Sequence, residues 1–203
     1  MVTKMIIGIP IKSFNRSFTR LSNILAPSLR SELSKALLDN IISCLINLDC
    51  QIYTISNDIE VINFAKEKNI HNFSSKKNGL NNEVSEFVNN TYKGGPWCIL
   101  HSDLPYINKF TSKQLIMDCN RNNYIGSQSK DGGTPLLGGK KIIDNFYYGH
   151  NSFRKHENEI QKNGERIFRI FSRELSFEID TENDFKNFKK NLPAWYKKNK
   201  YNF

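Results

Sequence analysis

The chain has 203 residues, 38% of them hydrophobic and 24% charged, which suits one globular domain and excludes a disordered or fibrous chain. No apolar run approaches the roughly 18 residues of a spanning helix, and Met1 leads straight into a strand-like segment, so the expected location is the cytoplasm. Much of the +9 net charge comes from Lys186, Lys189, Lys190, Lys197, Lys198 and Lys200, in a stretch without an acid, which reads as a solvated tail in preference to a nucleic-acid groove.

In chain order, "MIIGIPIK" reads as a strand, and "LRSELSKALLDNIISCLINL" as a helix because Leu33, Leu37, Ile41 and Leu45 recur on one face. "QIYTIS" is a second strand, followed by a helix over "DIEVINFAKEKN", an extended piece at "IHNFSS" and a helix over "NNEVSEFVNNTY". The apolar run "WCIL" is a buried strand. A helix over "TSKQLIMDCN" follows, with Thr111 as its N-cap, then a strand at "YIGSQS". "DGGTPLLGGKK", with its glycines and proline, is expected to break regular structure. "SFRKHENEIQKNG" predicts a helix opened by Ser152 and closed by Gly164, "RIFRIF" a strand, and "TENDFKNFKKN" a last helix capped by Thr181. Alternating strands and helices imply an α/β fold with a mostly parallel sheet covered on both faces. The expected organisation is one domain over 1–190 and a basic tail over 191–203, with "PAWYKKNKYNF" as a loosely held appendage. Cys44, Cys50, Cys98 and Cys119 form no C-x-x-C pair and read as reduced thiols.

Ligands of open α/β sheets bind beyond the carboxyl ends of the strands, which directs attention to Lys12 after the first strand and Asp103 after "WCIL". Lys12, Arg16 and Arg20 fall within one loop and suit several phosphate oxygens; a solvated basic loop is the plain alternative. Neither a P-loop nor a G-x-G-x-x-G pattern is present. Asp103 and Asp180 offer two carboxylates of the kind that hold Mg²⁺ together with substrate phosphates, or else cap the turn and the helix that follow them. Gly133 and Thr134 lie in a glycine-rich loop that either cradles an anion or turns a hairpin. Gly149 and Ser152 stand at a helix start, as an anion site or an ordinary cap, and His156 one turn later reads as a packed histidine. Zinc-ligand spacing and a G-x-S-x-G elbow are both missing.

Six stretches in this order, "IPIKSFNRSFTRLSNILAPSLRSELSKALLDNII", "GLNNEV", "CILHSDLP", "DGGTPLL", "YGHNSFRKH" and "FEIDTENDF", resemble the 2-phospho-L-lactate guanylyltransferases of coenzyme F420 biosynthesis, whose relatives use phosphoenolpyruvate or 3-phosphoglycerate. The resemblance implies a Rossmann-like nucleotidyltransferase fold of the glycosyltransferase-A type. It implies that Lys12 and Arg20 hold the GTP phosphates, that Leu80 and Asn81 lie near the nucleotide, and that Asp103 and Asp180 bind Mg²⁺. Thr134, Gly149 and Ser152, with Gly133 beside them, would receive the carboxylate and phosphate of the acceptor, and a homodimer follows from family habit. Three positions depart from the pattern. Phe18 stands where the family has a basic residue, so that one triphosphate contact is either missing or taken over by Arg16; Pro135 stands in place of asparagine, and Glu178 in place of aspartate. The rival readings are a nucleotidyltransferase acting on a sugar phosphate or the molybdenum cofactor, against which the missing glycine signature after the first strand counts, and a non-catalytic nucleotide- or nucleic-acid-binding protein.

Overall fold

A computed structural model describes residues 3–198. Its sheet has seven strands in the order β3-β2-β1-β4-β6-β5-β7. These are β1 Met5–Pro10, β2 Cys50–Ile55, β3 His71–Phe73, β4 Trp97–Leu100, β5 Ile125–Ser127, β6 Leu136–Gly139 and β7 Phe168–Arg169. β1 to β4 run parallel, β6 lies antiparallel between β4 and β5, and β7 is parallel to β5.

Period-two alternation divides β1 between two cores. Met5, Ile7 and Ile9 face helices α1 (Pro27–Leu45), α2 (Ile59–Glu67) and α4 (Lys109–Arg121), while Ile6 joins Trp97 and Ile99 under α3 (Leu80–Thr91) and α5 (Ser152–Lys162). Both faces of the sheet are therefore covered, as the alternation of elements predicts. Pro27 at the first turn of α1 has no N–H to satisfy, so the helix begins two residues before its expected start. No described helix is long and apolar enough to cross a membrane.

Four local expectations change. The segment 131–141, expected to be irregular, contains β6: Leu136 and Leu137 pair with Leu100 and Ile99, and Gly138 pairs with Cys98. Gly138 is a strand residue because its neighbour is too close for a side chain; a Cβ there would lie 2.4 Å from the carbonyl oxygen of Trp97. Asn108, not Thr111, caps α4, and Thr111 is its capping-box partner at the third helical position. Ser152 is the first residue of α5, not its cap; Asn151 precedes it at φ 51° without a side-chain cap. "RIFRIF" reduces to the two residues of β7, both exposed, because β5 offers it only Ile125 and Gly126 as partners. The expected capping of α6 (Glu182–Lys190) by Thr181 is present as a full capping box.

Residues 192–198, the described part of the segment expected to be an appendage, fold back. A short helix α7 (Ala194–Lys198) buries Tyr196 against Phe188, and the Trp195 indole donates to the carbonyl of Pro105 at 2.7 Å. Residues 199–203, and Lys200 with them, lie outside the described residues. All four cysteines are free thiols, three of them buried.

Candidate active site

One geometric fact gathers the site. β6 is antiparallel to β4, so it starts where β4 ends, and the 128–135 loop reaches the same end of the sheet as the segments that follow β4 and β7. A cavity of about 1050 Å³ opens there. Of the residues singled out in the sequence, Arg20, Leu80, Asp103, Gly133, Thr134, Gly149, Ser152 and Asp180 line it. Lys12 and Arg16 lie outside its lining and are exposed. Asn81 is also outside: its amide donates to the carbonyl of Tyr148 at 3.2 Å and accepts the Tyr148 N–H at 2.5 Å, so it clamps the cavity wall next to Gly149.

The acidic wall is built by two backbone bonds. The His101 N–H donates to Pro135 at 2.9 Å, which extends the pairing of β4 and β6 by one residue, and the Ile179 N–H donates to Asp103 at 3.1 Å. Pro135, which has no N–H of its own to pair, supplies the carbonyl this needs. Ile179 is buried, and Glu178 and Asp180 on either side of it line the cavity beside Asp103.

His101, Asp103 and Glu178 can bring one ligand atom each within 4.8 Å of one another. Glu178 accepts from His101 Nδ1 at 2.6 Å, while His101 Nε2 and Asp103 Oδ1 are buried without a hydrogen-bond partner among the described residues. Burial, followed by the charge of Glu178, lifts the Asp103 carboxyl to about 7. Burial opposes the charged form of His101, but the hydrogen bond and charge of Glu178 outweigh it and the net shift is upward. Two orphaned atoms next to clustered carboxylates fit a divalent cation, which would satisfy both and lower the repulsion between Asp103 and Glu178. Asp180, expected as the second ligand, instead forms an ion pair with Arg20. His101 and Glu178 were missed as a ligand group in the sequence because 77 residues separate them, although the H-x-D spacing before Leu104 was visible.

Phe18 sits at φ 53° before the 3-10 turn Thr19–Leu21 and packs on the cluster of Leu21, Leu25, Phe185 and Phe188. Its side chain thus makes an apolar contact that holds the turn carrying Arg20. Elsewhere in the cavity, Arg173 lies 4.2 Å over the Tyr106 ring, and Arg169 is held by Glu157. Thr134 Oγ1 is 2.8 Å from Ser152 Oγ and 3.1 Å from His156 Nδ1.

Residues 4–189 match the family described as guanylyl transferase CofC like. The chain belongs to that family. It is similar to the 2-phospho-L-lactate guanylyltransferase of Methanosphaera stadtmanae, with 34% identity over 90% of this chain and 82% of the relative. The protein of the same name from Methanocaldococcus vulcanius is 34% identical over 89% and 82% of the two chains. Among solved structures, a protein of Desulfovibrio desulfuricans G20 assigned to the nucleotide-diphospho-sugar transferases superposes with a TM-score of 0.81 at 12% identity, over 98% of this chain and 92% of that one. This likeness shows the fold, a mostly parallel sheet covered by helices.

Proposed function

We propose that the protein transfers GMP from GTP to the phosphate of a small phosphorylated three-carbon acid, 2-phospho-L-lactate, phosphoenolpyruvate or 3-phosphoglycerate, releasing pyrophosphate, in coenzyme F420 biosynthesis. The observation that carries this reading is the meeting, in one cavity, of a carboxylate cluster with Arg20 and of the hydroxyls of Thr134 and Ser152 at the N-terminus of α5. Polyanions gather there, and each wall has its own task.

A phosphate oxygen of the acceptor attacks the α-phosphorus of GTP; the bond to the β-phosphate breaks and pyrophosphate leaves. The nucleophile is already anionic, so no general base is needed, and the protein's share is orientation and charge neutralisation. Asp103 and Glu178, with His101 beside them, would hold Mg²⁺, which would supply neutralisation of phosphate charge. Arg20 exchanges Asp180 for the triphosphate, which leaves the Asp180 carboxylate free beside Asp103 and Glu178, where it would add to a cation site. Lys12, exposed after β1, adds a charge for the departing pyrophosphate. Leu80 supports the nucleotide, while Gly133, Thr134, Gly149 and Ser152 receive the acid.

Pyrophosphate release is measured with GTP and Mg²⁺ and each acid in turn, with ATP and CTP as controls. Release with GTP and one acid is expected. A folded protein that binds GTP but is silent with all three would overturn the reading, and release with a sugar phosphate would favour its rival.

A further inference from the structure

We infer that His156 is a positioning residue which turns the Thr134 and Ser152 hydroxyl pair outward as a hydrogen-bond donor, so that this end of the cavity takes an anionic oxygen of the acceptor. The inference rests on the reading above and concerns a residue to which that reading gives no role.

A count of protons carries it. The backbone N–H of Tyr147 can only donate, and it lies 2.8 Å from His156 Nε2. That nitrogen therefore presents its lone pair, and the proton of the neutral ring sits on Nδ1. Nδ1–H then donates to Thr134 Oγ1 at 3.1 Å. The Thr134 and Ser152 hydroxyls carry two protons between them, and the 2.8 Å bond between their oxygens uses one. The other has no acceptor among the described residues, while both side chains, each 1% exposed, line the cavity. With the proton on Nε2 instead, Nδ1 would take one hydroxyl proton and the pair would have none to offer.

Two further observations agree. His156 is fully buried, and burial lowers its pKa to about 4, which keeps the ring neutral at physiological pH. Tyr148, 8% exposed, packs edge-on against His156 and lines the same cavity, and its hydroxyl is buried without a partner among the described residues. The wall thus holds a spare aliphatic hydroxyl proton and an unused phenolic donor. An uncharged wall of donors favours a phosphate or carboxylate oxygen and disfavours an amine.

The test has two arms. Long-range ¹H–¹⁵N correlation spectra of the histidine rings, assigned with His156→Gln, should show His156 neutral and protonated on Nδ1 at pH 7; a proton on Nε2 overturns the inference. In kinetics, His156→Asp places a proton acceptor against Thr134, whereas His156→Asn can still donate there. The Asp variant should raise KM for the acid by about tenfold or more, with KM for GTP changed less than about twofold, and the Asn variant should stay nearer the parent. An unchanged acid KM in the Asp variant, or equal rises for acid and GTP in both variants, overturns it. Should the parent turn over none of the acids, the proposed function fails on that result, and the tautomer decides the inference by itself. The tautomer also decides it if the Asp variant does not fold.

Discussion

Replacing Asp103 by Asn should make the protein more stable and far less active. Asp103 has a carboxyl lifted to about 7, against an ordinary value of about 3.9. The gap of about 3 units corresponds to about 4 kcal/mol between the two protonation states. Because the folded value lies above the unfolded one, this group's contribution to stability is fully present below about pH 4 and is lost as pH rises through 7. The parent in EDTA should therefore lose up to about 4 kcal/mol from this group between pH 4 and pH 8, while the uncharged variant does not. Urea denaturation of both proteins across that range measures the difference: the stabilities should converge at pH 4 and separate by pH 8, with the variant ahead. Added Mg²⁺ should raise the parent's midpoint at pH 8 and leave the variant's in place. Pyrophosphate release by the variant should fall at least about a hundredfold. A variant no more stable than the parent at pH 8 in EDTA would show that the charge is not a burden to the fold, and retained turnover would remove Asp103 from the reaction.

Arg20→Met removes an ion pair whose side chains are 69% and 45% exposed, so it should cost under about 1 kcal/mol in a thermal melt while turnover drops about a hundredfold; a large loss of stability would make Arg20 a structural residue. Gly138→Ala forces a Cβ to 2.4 Å from a paired backbone oxygen that cannot move aside, and should destabilise by about 2–3 kcal/mol in urea. An unchanged midpoint would mean that β4 and β6 separate there at no cost.

Much of the fold was legible because it is local. The face of Leu33, Leu37, Ile41 and Leu45, the apolar run at "WCIL" and the capping chemistry of Thr181 act over one to four residues, so linear spacing contains them. Family and reaction type were also legible, since they reside in several stretches kept in a definite order. β6 was hidden because Gly138 acts through Trp97 and Cys98, about 40 residues away, and Gly139 through Asn123 and Tyr124 on the neighbouring strand segment, contacts that turn a breaker residue into the one that fits. Packing decided the course of residues 192–198: Trp195 and Tyr196 have nothing to bury against until Phe188 and Pro105 are in place. The site divides in the same way. That Asp103 ends a core strand is written in the sequence, but its raised carboxyl, the company of His101 and Glu178, the pairing of Asp180 with Arg20 and the direction of the His156 proton depend on distances between segments far apart in the chain. Short-range stereochemistry is encoded residue by residue, whereas electrostatic and hydrogen-bond geometry exists only once the folded chain has set its distances.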